Sequence, residues 1–249
     1  MRSTATGWAG ALRRVEVYKN LDVASELAAR IIVTAATEAL ARRGHFSIAL
    51  AGGETPRRLY ELLARDHRDR IAWDRTDVCF GDERCVPPSD PASNYGMARS
   101  VLLARVPLPP GRAHRILGEM GPEDAAADYD VRLRRIFDGD VTGPTFDVVL
   151  LGVGADGHTA SLFPGDAALE ERERWAMPTL APPEAKVRER VTVTLQVINR
   201  ARTALVLCAG SEKRDVVQRI LRGTAPELPA SRVRGIEQTL WMLDRAAAG

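Results

Sequence analysis

With 249 residues, 45% of them hydrophobic and 27% charged, the chain has the make-up of an ordinary globular protein, and no Pro/Ser-rich or single-sign block marks a disordered linker. Its 35 basic and 33 acidic side chains leave a formal charge of +2, and aromatic residues make up only 5%, which argues against nucleic acid as a partner. No run reaches the roughly 20 apolar residues of a membrane span, and Cys79, Cys85 and Cys208 follow neither zinc-binding nor full disulfide-pairing arithmetic.

These limits leave one domain over residues 1–249, with no membrane partner and a cytoplasmic location expected, since Met1 to Val17 lacks an apolar core of signal-peptide length. Strand-like and helix-like segments alternate throughout, which predicts an α/β fold with a mostly parallel central sheet and helices on both faces. The first strand falls around Val15 to Tyr18. A long helix follows from about Asp22 to Arg43, with Leu21, Ala24, Leu27, Ala28, Ile31, Ile32 and Ala35 on one face and Gly44 as its stop.

His45 to Ala51 reads as a buried strand ending in Gly52-Gly53, and a helix opens at Thr55-Pro56. Asp77 to Phe80 is the next strand; Pro87 to Asn94 is a loop, and Tyr95 to Val106 has helical spacing. A charged helix is expected over Glu123 to Phe137, and Phe146 to Leu151, the most apolar run, is expected to be a central strand. Glu170 to Arg174 reads as a solvated turn or helix, Val191 to Val197 and Thr203 to Cys208 as strands, Ser211 to Arg222 as a capped helix and Ile236 to Leu243 as a last strand.

Four segments carry candidate chemistry. In Ala51-Gly-Gly-Glu-Thr-Pro56 the glycines admit a ligand close to the backbone, and Thr55 as cap would leave helix N–H groups facing an anion such as phosphate. An ordinary tight turn accounts for the same residues, and Glu54 must point away from any anion bound there. Asp82-Glu83-Arg84 closes an apolar strand at the mouth of the sheet, where Arg84 is suited to a bidentate phosphate contact or to a surface ion pair. Lys213, in the first turn of a helix, is either a second cation for the ligand beside Arg84 or a solvated lysine.

Gly152-x-Gly154-x-x-Gly157 matches the dinucleotide fingerprint, but Pro164-Gly165 breaks the helix that such a site needs. His158, beside Asp156 in the same loop, is a candidate general base oriented by a carboxylate, or a histidine bonded to its own turn. The backbone N–H groups of the Gly154 to His158 loop are candidate oxyanion donors.

Leu50-Ala-Gly-Gly-Glu-Thr-Pro56, Gly81-Asp-Glu-Arg-Cys-Val-Pro87 with Ser93-Asn-Tyr95, Gly152-Val-Gly-Ala-Asp-Gly-His-Thr-Ala-Ser-Leu-Phe-Pro-Gly165, and Arg190-Val-Thr-Val-Thr194 through Gly210-Ser-Glu-Lys213 resemble the 6-phosphogluconolactonase family nearly end to end and in the same order. The resemblance implies a glucosamine-6-phosphate-deaminase-like fold, and hydrolysis of 6-phospho-D-glucono-1,5-lactone in the oxidative pentose phosphate pathway without metal or organic cofactor. It makes His158, Asp156 and Asp82 the catalytic candidates. Gly52, Gly53, Thr55, Arg84, Asn94, Gly154 and Lys213 become candidates for holding the sugar phosphate. Family members commonly carry Ser where Glu54 stands. A monomer or small homo-oligomer is expected. Two other readings are an amino-sugar-phosphate isomerase or deaminase of the same superfamily, whose flanks after the histidine differ, and a sugar-phosphate sensor without catalysis.

Overall fold

Apolar β-branched runs of four to six residues, each closed by glycine or a charged turn, become the strands of a central sheet, and amphipathic helices cover it. The computed structural model describes residues 4–8, 11–137 and 145–249; residues 1–3, 9–10 and 138–144 lie outside it. The chain runs β1 (Thr4–Trp8), β2 (Ala11–Tyr18), α1 (Leu21–Arg43), β3 (Phe46–Leu50), α2 (Arg57–Asp66), β4 (Thr76–Phe80), β5 (Asp82–Arg84), α3 (Asn94–Ala98) and α4 (Pro122–Ile136). It continues β6 (Val148–Leu151), β7 (Ala176–Leu180), β8 (Glu189–Val193), α5 (Leu195–Asn199), β9 (Thr203–Cys208), α6 (Arg214–Arg222), β10 (Gln238–Asp244) and α7 (Arg245–Ala248).

The main sheet has the order β1-β2-β10-β9-β6-β3-β4, and only the β1–β2 pair is antiparallel. From β3 the chain adds β4 on one side and β6 on the other. The order therefore reverses between β3 and β6, and their carboxyl ends frame the crevice where open α/β sheets take ligands. Asp147, buried just before β6, accepts the Ser47 backbone N–H at 2.9 Å and an Arg43 guanidinium, which ties β6 to β3 at the opposite end. Tyr129 on α4 is fully buried; its hydroxyl donates to Phe80 O and accepts from Phe80 N, both at 2.9 Å, and so fixes the corner where β4 leaves the sheet.

A second, three-stranded antiparallel sheet, β5-β8-β7, stands at that corner and packs against α4. The sequence did not predict it. Asp82 to Arg84 forms its own short strand, and β7 contains Pro178, which is tolerated because β7 is an edge.

Other expectations need correction. Val191 to Val197 is not one strand: β8 ends at Val193, and Leu195–Asn199 is helical. A short buried apolar run has the same composition in either state, so periodicity could not separate them. The buried face of α1 is turned from the predicted one, centring on Ala28, Ala29, Ile32 and Ala36, while Leu27, Ile31 and Ala35 are only partly covered. Tyr95 to Val106 divides into α3, capped by the Ser93 hydroxyl on Gly96 N, and a π-helical turn over Arg99–Leu103. A 3₁₀ turn, Ser211–Lys213, precedes α6 and has no side-chain cap.

Candidate active site

The carboxyl ends of β3, β4, β6 and β9 open on a cavity of about 490 Å³. Every candidate residue lines it: Gly52, Gly53 and Thr55 after β3, Asp82 and Arg84 in β5, Asn94 at the start of α3, Gly154, Asp156 and His158 after β6, and Lys213 after β9. His158 therefore shares its space with Arg84 and the Gly52 turn.

The Gly52 turn is held from below by fully buried Tyr60 of α2, whose hydroxyl donates to Ala51 O at 2.7 Å. Thr55 lines the cavity and does not cap α2, which begins at Arg57 behind Pro56 with no side-chain cap. Pro56 itself occupies the cap position, in the helical region, and has no side-chain acceptor to offer. Glu54 turns outward, 82% exposed, to Arg57 Nε at 2.8 Å, and that hydrogen bond holds its carboxyl below the usual range.

Gly52 has no room for a side chain, because a Cβ there would lie 1.9 Å from Asn94 Oδ1. Gly52→Ala is expected to push Asn94 off Asp82 and to destabilise the chain by about 1–3 kcal/mol, as overpacking does. Thermal denaturation and KM measure this; an unchanged midpoint and KM would show that the turn tolerates the methyl group.

Glu83 plays a structural part. It is 2% exposed and accepts the backbone N–H groups of Arg84, Asn94 and Tyr95 at 2.7–2.8 Å and the Ser93 hydroxyl at 3.0 Å, folding the α3 start onto β5. Burial raises its pKa against the pull of those donors. Asp82 beside it faces the cavity with both oxygens engaged, Oδ1 by Asn94 Nδ2 at 3.2 Å and Oδ2 by Ser161 Oγ at 2.6 Å.

The cavity wall holds a cation that sequence reasoning missed. Arg190 of β8 lines the cavity directly opposite Arg84 in the β5–β8 ladder. Like charges facing across a ladder repel, and burial followed by the Arg84 charge lowers the Arg190 pKa. The Nε atoms of both arginines are buried without a hydrogen-bond partner among the described residues. Such a pair is satisfied by a shared anion. Arg190 stands in an alternating run that reads simply as strand, and nothing local in the sequence reveals which strand it faces.

In the loop after β6, Asp156 Oδ1 lies 2.6 Å from His158 Nδ1 and accepts His158 N at 3.1 Å. Burial pushes the Asp156 carboxyl up, but the His158 contacts together outweigh it and hold the pKa below the usual range. An ionised carboxylate only accepts, so the His158 proton facing it sits on Nδ1, and Nε2 is the nitrogen left for proton transfer. Gly154 makes this pair possible, since a Cβ there would sit 2.1 Å from His158 Nδ1. The ring of His158 rests on Phe163, 4.9 Å between centroids.

The expected oxyanion donors of this loop are mostly engaged within it: Gly154 N donates to His158 O and Gly157 N to Gly154 O, both at 2.9 Å. A tight turn satisfies its own N–H groups first. Turns, not a helix, follow the Gly152 to Gly157 run as far as residue 166, so it lacks the helix N-terminus of a dinucleotide site. Among the described residues no His/Cys/Asp/Glu cluster suits a metal, and no helix is long and apolar enough to cross a membrane.

The chain is similar to known proteins over nearly its whole length. Residues 19–241 match the family model described as glucosamine-6-phosphate isomerases/6-phosphogluconolactonase. A 6-phosphogluconolactonase of Streptomyces coelicolor is 38% identical over 241 residues, 93% of this chain and 92% of that one. The solved 6-phosphogluconolactonase of Trypanosoma brucei superposes with a TM-score of 0.85 at 31% identity, covering 97% of this chain and 98% of that one. A monomeric glucosamine-6-phosphate deaminase shares the fold, with a TM-score of 0.80 at 22% identity, covering 94% and 98%.

Proposed function

Because the chain belongs to the glucosamine-6-phosphate isomerase/6-phosphogluconolactonase family, we propose that it hydrolyses 6-phospho-D-glucono-1,5-lactone to 6-phosphogluconate, the lactonase step of the oxidative pentose phosphate pathway. One observation carries the reading: a single cavity is lined both by an imidazole–carboxylate pair and by Arg84, Arg190 and Lys213. A sugar phosphate carries an anionic group and a reactive carbonyl on one small molecule, so it calls for cations and a base within one site.

In this mechanism the phosphate rests against the Gly52-Gly53 turn, Thr55 and the three cations, which sets C1 beside His158. Nε2 takes a proton from water, the hydroxide oxygen bonds to C1, the C1–ring oxygen bond breaks, and the imidazolium returns the proton to the leaving ring oxygen. Asp156 stabilises the imidazolium and keeps Nε2 directed at the cavity. Asp82, fixed by Asn94 and Ser161, accepts a sugar hydroxyl.

The test is a coupled assay with freshly generated lactone and excess 6-phosphogluconate dehydrogenase, corrected for spontaneous hydrolysis. Enzyme-dependent product formation is expected. No rate above background, or ammonia release from glucosamine 6-phosphate in a parallel assay, would overturn the reading.

A further inference from the structure

Directly after His158 the chain makes a turn over Thr159 to Leu162. Ala160 there has φ 49°, in the left-handed region that side chains other than glycine rarely occupy, and Leu162 N closes the turn on Thr159 O at 3.0 Å. The turn presents Ser161, 1% exposed, to the small sheet. Each polar group of Ser161 engages a different strand: Oγ donates to Asp82 Oδ2 of β5 at 2.6 Å, N donates to Thr192 Oγ1 of β8 at 3.2 Å, and O accepts from Thr179 Oγ1 of β7 at 2.9 Å.

The loop so anchored carries Asp156 and His158, while the small sheet carries Asp82, Arg84 and Arg190. We propose that Ser161 is a positioning residue for the lactonase reaction: it registers the loop of the base on the sheet of the cations, and its hydroxyl orients the Asp82 carboxylate. This rests on the function proposed above. A backbone held in a sparsely populated region persists only where its surroundings over-determine it, and these bonds to three strands do so. Errors of about 1 Å in such a registration cost on the order of a hundredfold in rate.

The hydroxyl bond is the one that a side-chain change removes. Ser161→Ala is expected to lower kcat by about tenfold to a hundredfold, while calorimetry with 6-phosphogluconate finds its dissociation constant weakened by no more than about fivefold, because one sugar-hydroxyl contact through Asp82 is loosened and the phosphate contacts lie elsewhere. Ser161→Thr, which keeps the hydroxyl, is expected to recover kcat to within about threefold. In an Asp82→Ala background Ser161→Ala is expected to cost less than about twofold, since the bond it breaks is already gone. Ser161→Cys, a weak donor of similar size, carries the same expectation as the alanine variant if that one is not recovered folded.

Retention of kcat by Ser161→Ala, an equal loss in the Asp82→Ala background, or a threonine variant no better than alanine would overturn the assignment. Parent activity is measured first in the same assay. A parent without turnover overturns the lactonase reading and this proposal together, whereas an active parent with indifferent Ser161 variants overturns this proposal alone.

Discussion

His158→Ala is expected to lower kcat for lactone hydrolysis by about 10²–10⁴-fold, the usual contribution of a general base, with KM changed little. The imidazole is bonded on its Nδ1 side to Asp156 at 2.6 Å and rests on Phe163, so its free nitrogen has one outlook, the cavity. Alanine removes proton transfer but leaves the phosphate grip, whose groups come from other elements. Loss of kcat with unchanged KM marks an interaction made only in the transition state. Lactones hydrolyse spontaneously, so the rate must be taken above background. Parent-like kcat in His158→Ala would exclude the imidazole as the base.

Arg84→Ala and Arg190→Ala are expected to act in the opposite sense, each raising KM by about tenfold to a hundredfold, equivalent to ~1.5–3 kcal/mol for a hydrogen bond to a charged group, with kcat largely kept. The two guanidiniums face each other across the β5–β8 ladder, and the charge of Arg84 adds to burial in lowering the Arg190 pKa. Removing either relieves that repulsion. Arg190→Ala is therefore expected to denature at a midpoint no lower than the parent's while binding substrate less well, a separation of stability from affinity typical of groups arranged for a ligand; Arg84→Ala also loses the bond its guanidinium gives to Ala92 O, so for it KM is the readout. Arg84→Lys is not expected to restore KM, because an ammonium lacks the planar fork that matches phosphate oxygens. Parent-like KM in either alanine variant, or KM and midpoint lost together in Arg190→Ala, would remove the pair from phosphate binding.

The imidazole–carboxylate pair was legible because its chemistry is local. Gly154, Asp156 and His158 lie within five residues of one another, after a run apolar enough to be a central strand, and the glycine is needed by the very pair it precedes. The Gly52 turn was legible for the same reason, although Thr55 proved to be a wall of the cavity and not a cap. The oxyanion donors were misjudged: counting N–H groups in a loop gives no sign of how many the loop bonds to itself.

Short-range preferences of turn, burial and spacing let the sequence alone determine the alternation of strands and helices, the glycine turns at the carboxyl ends of strands, and the imidazole–carboxylate pair. Tertiary structure decided everything that depends on which distant segments meet. The small sheet, the opposition of Arg84 and Arg190, the outward turn of Glu54 and the contacts of Ser161 with three strands are of this kind. The physical reason is that strand partners and register are set by burial and backbone pairing summed over the whole fold. A residue such as Arg190 looks the same in sequence whichever strand it faces.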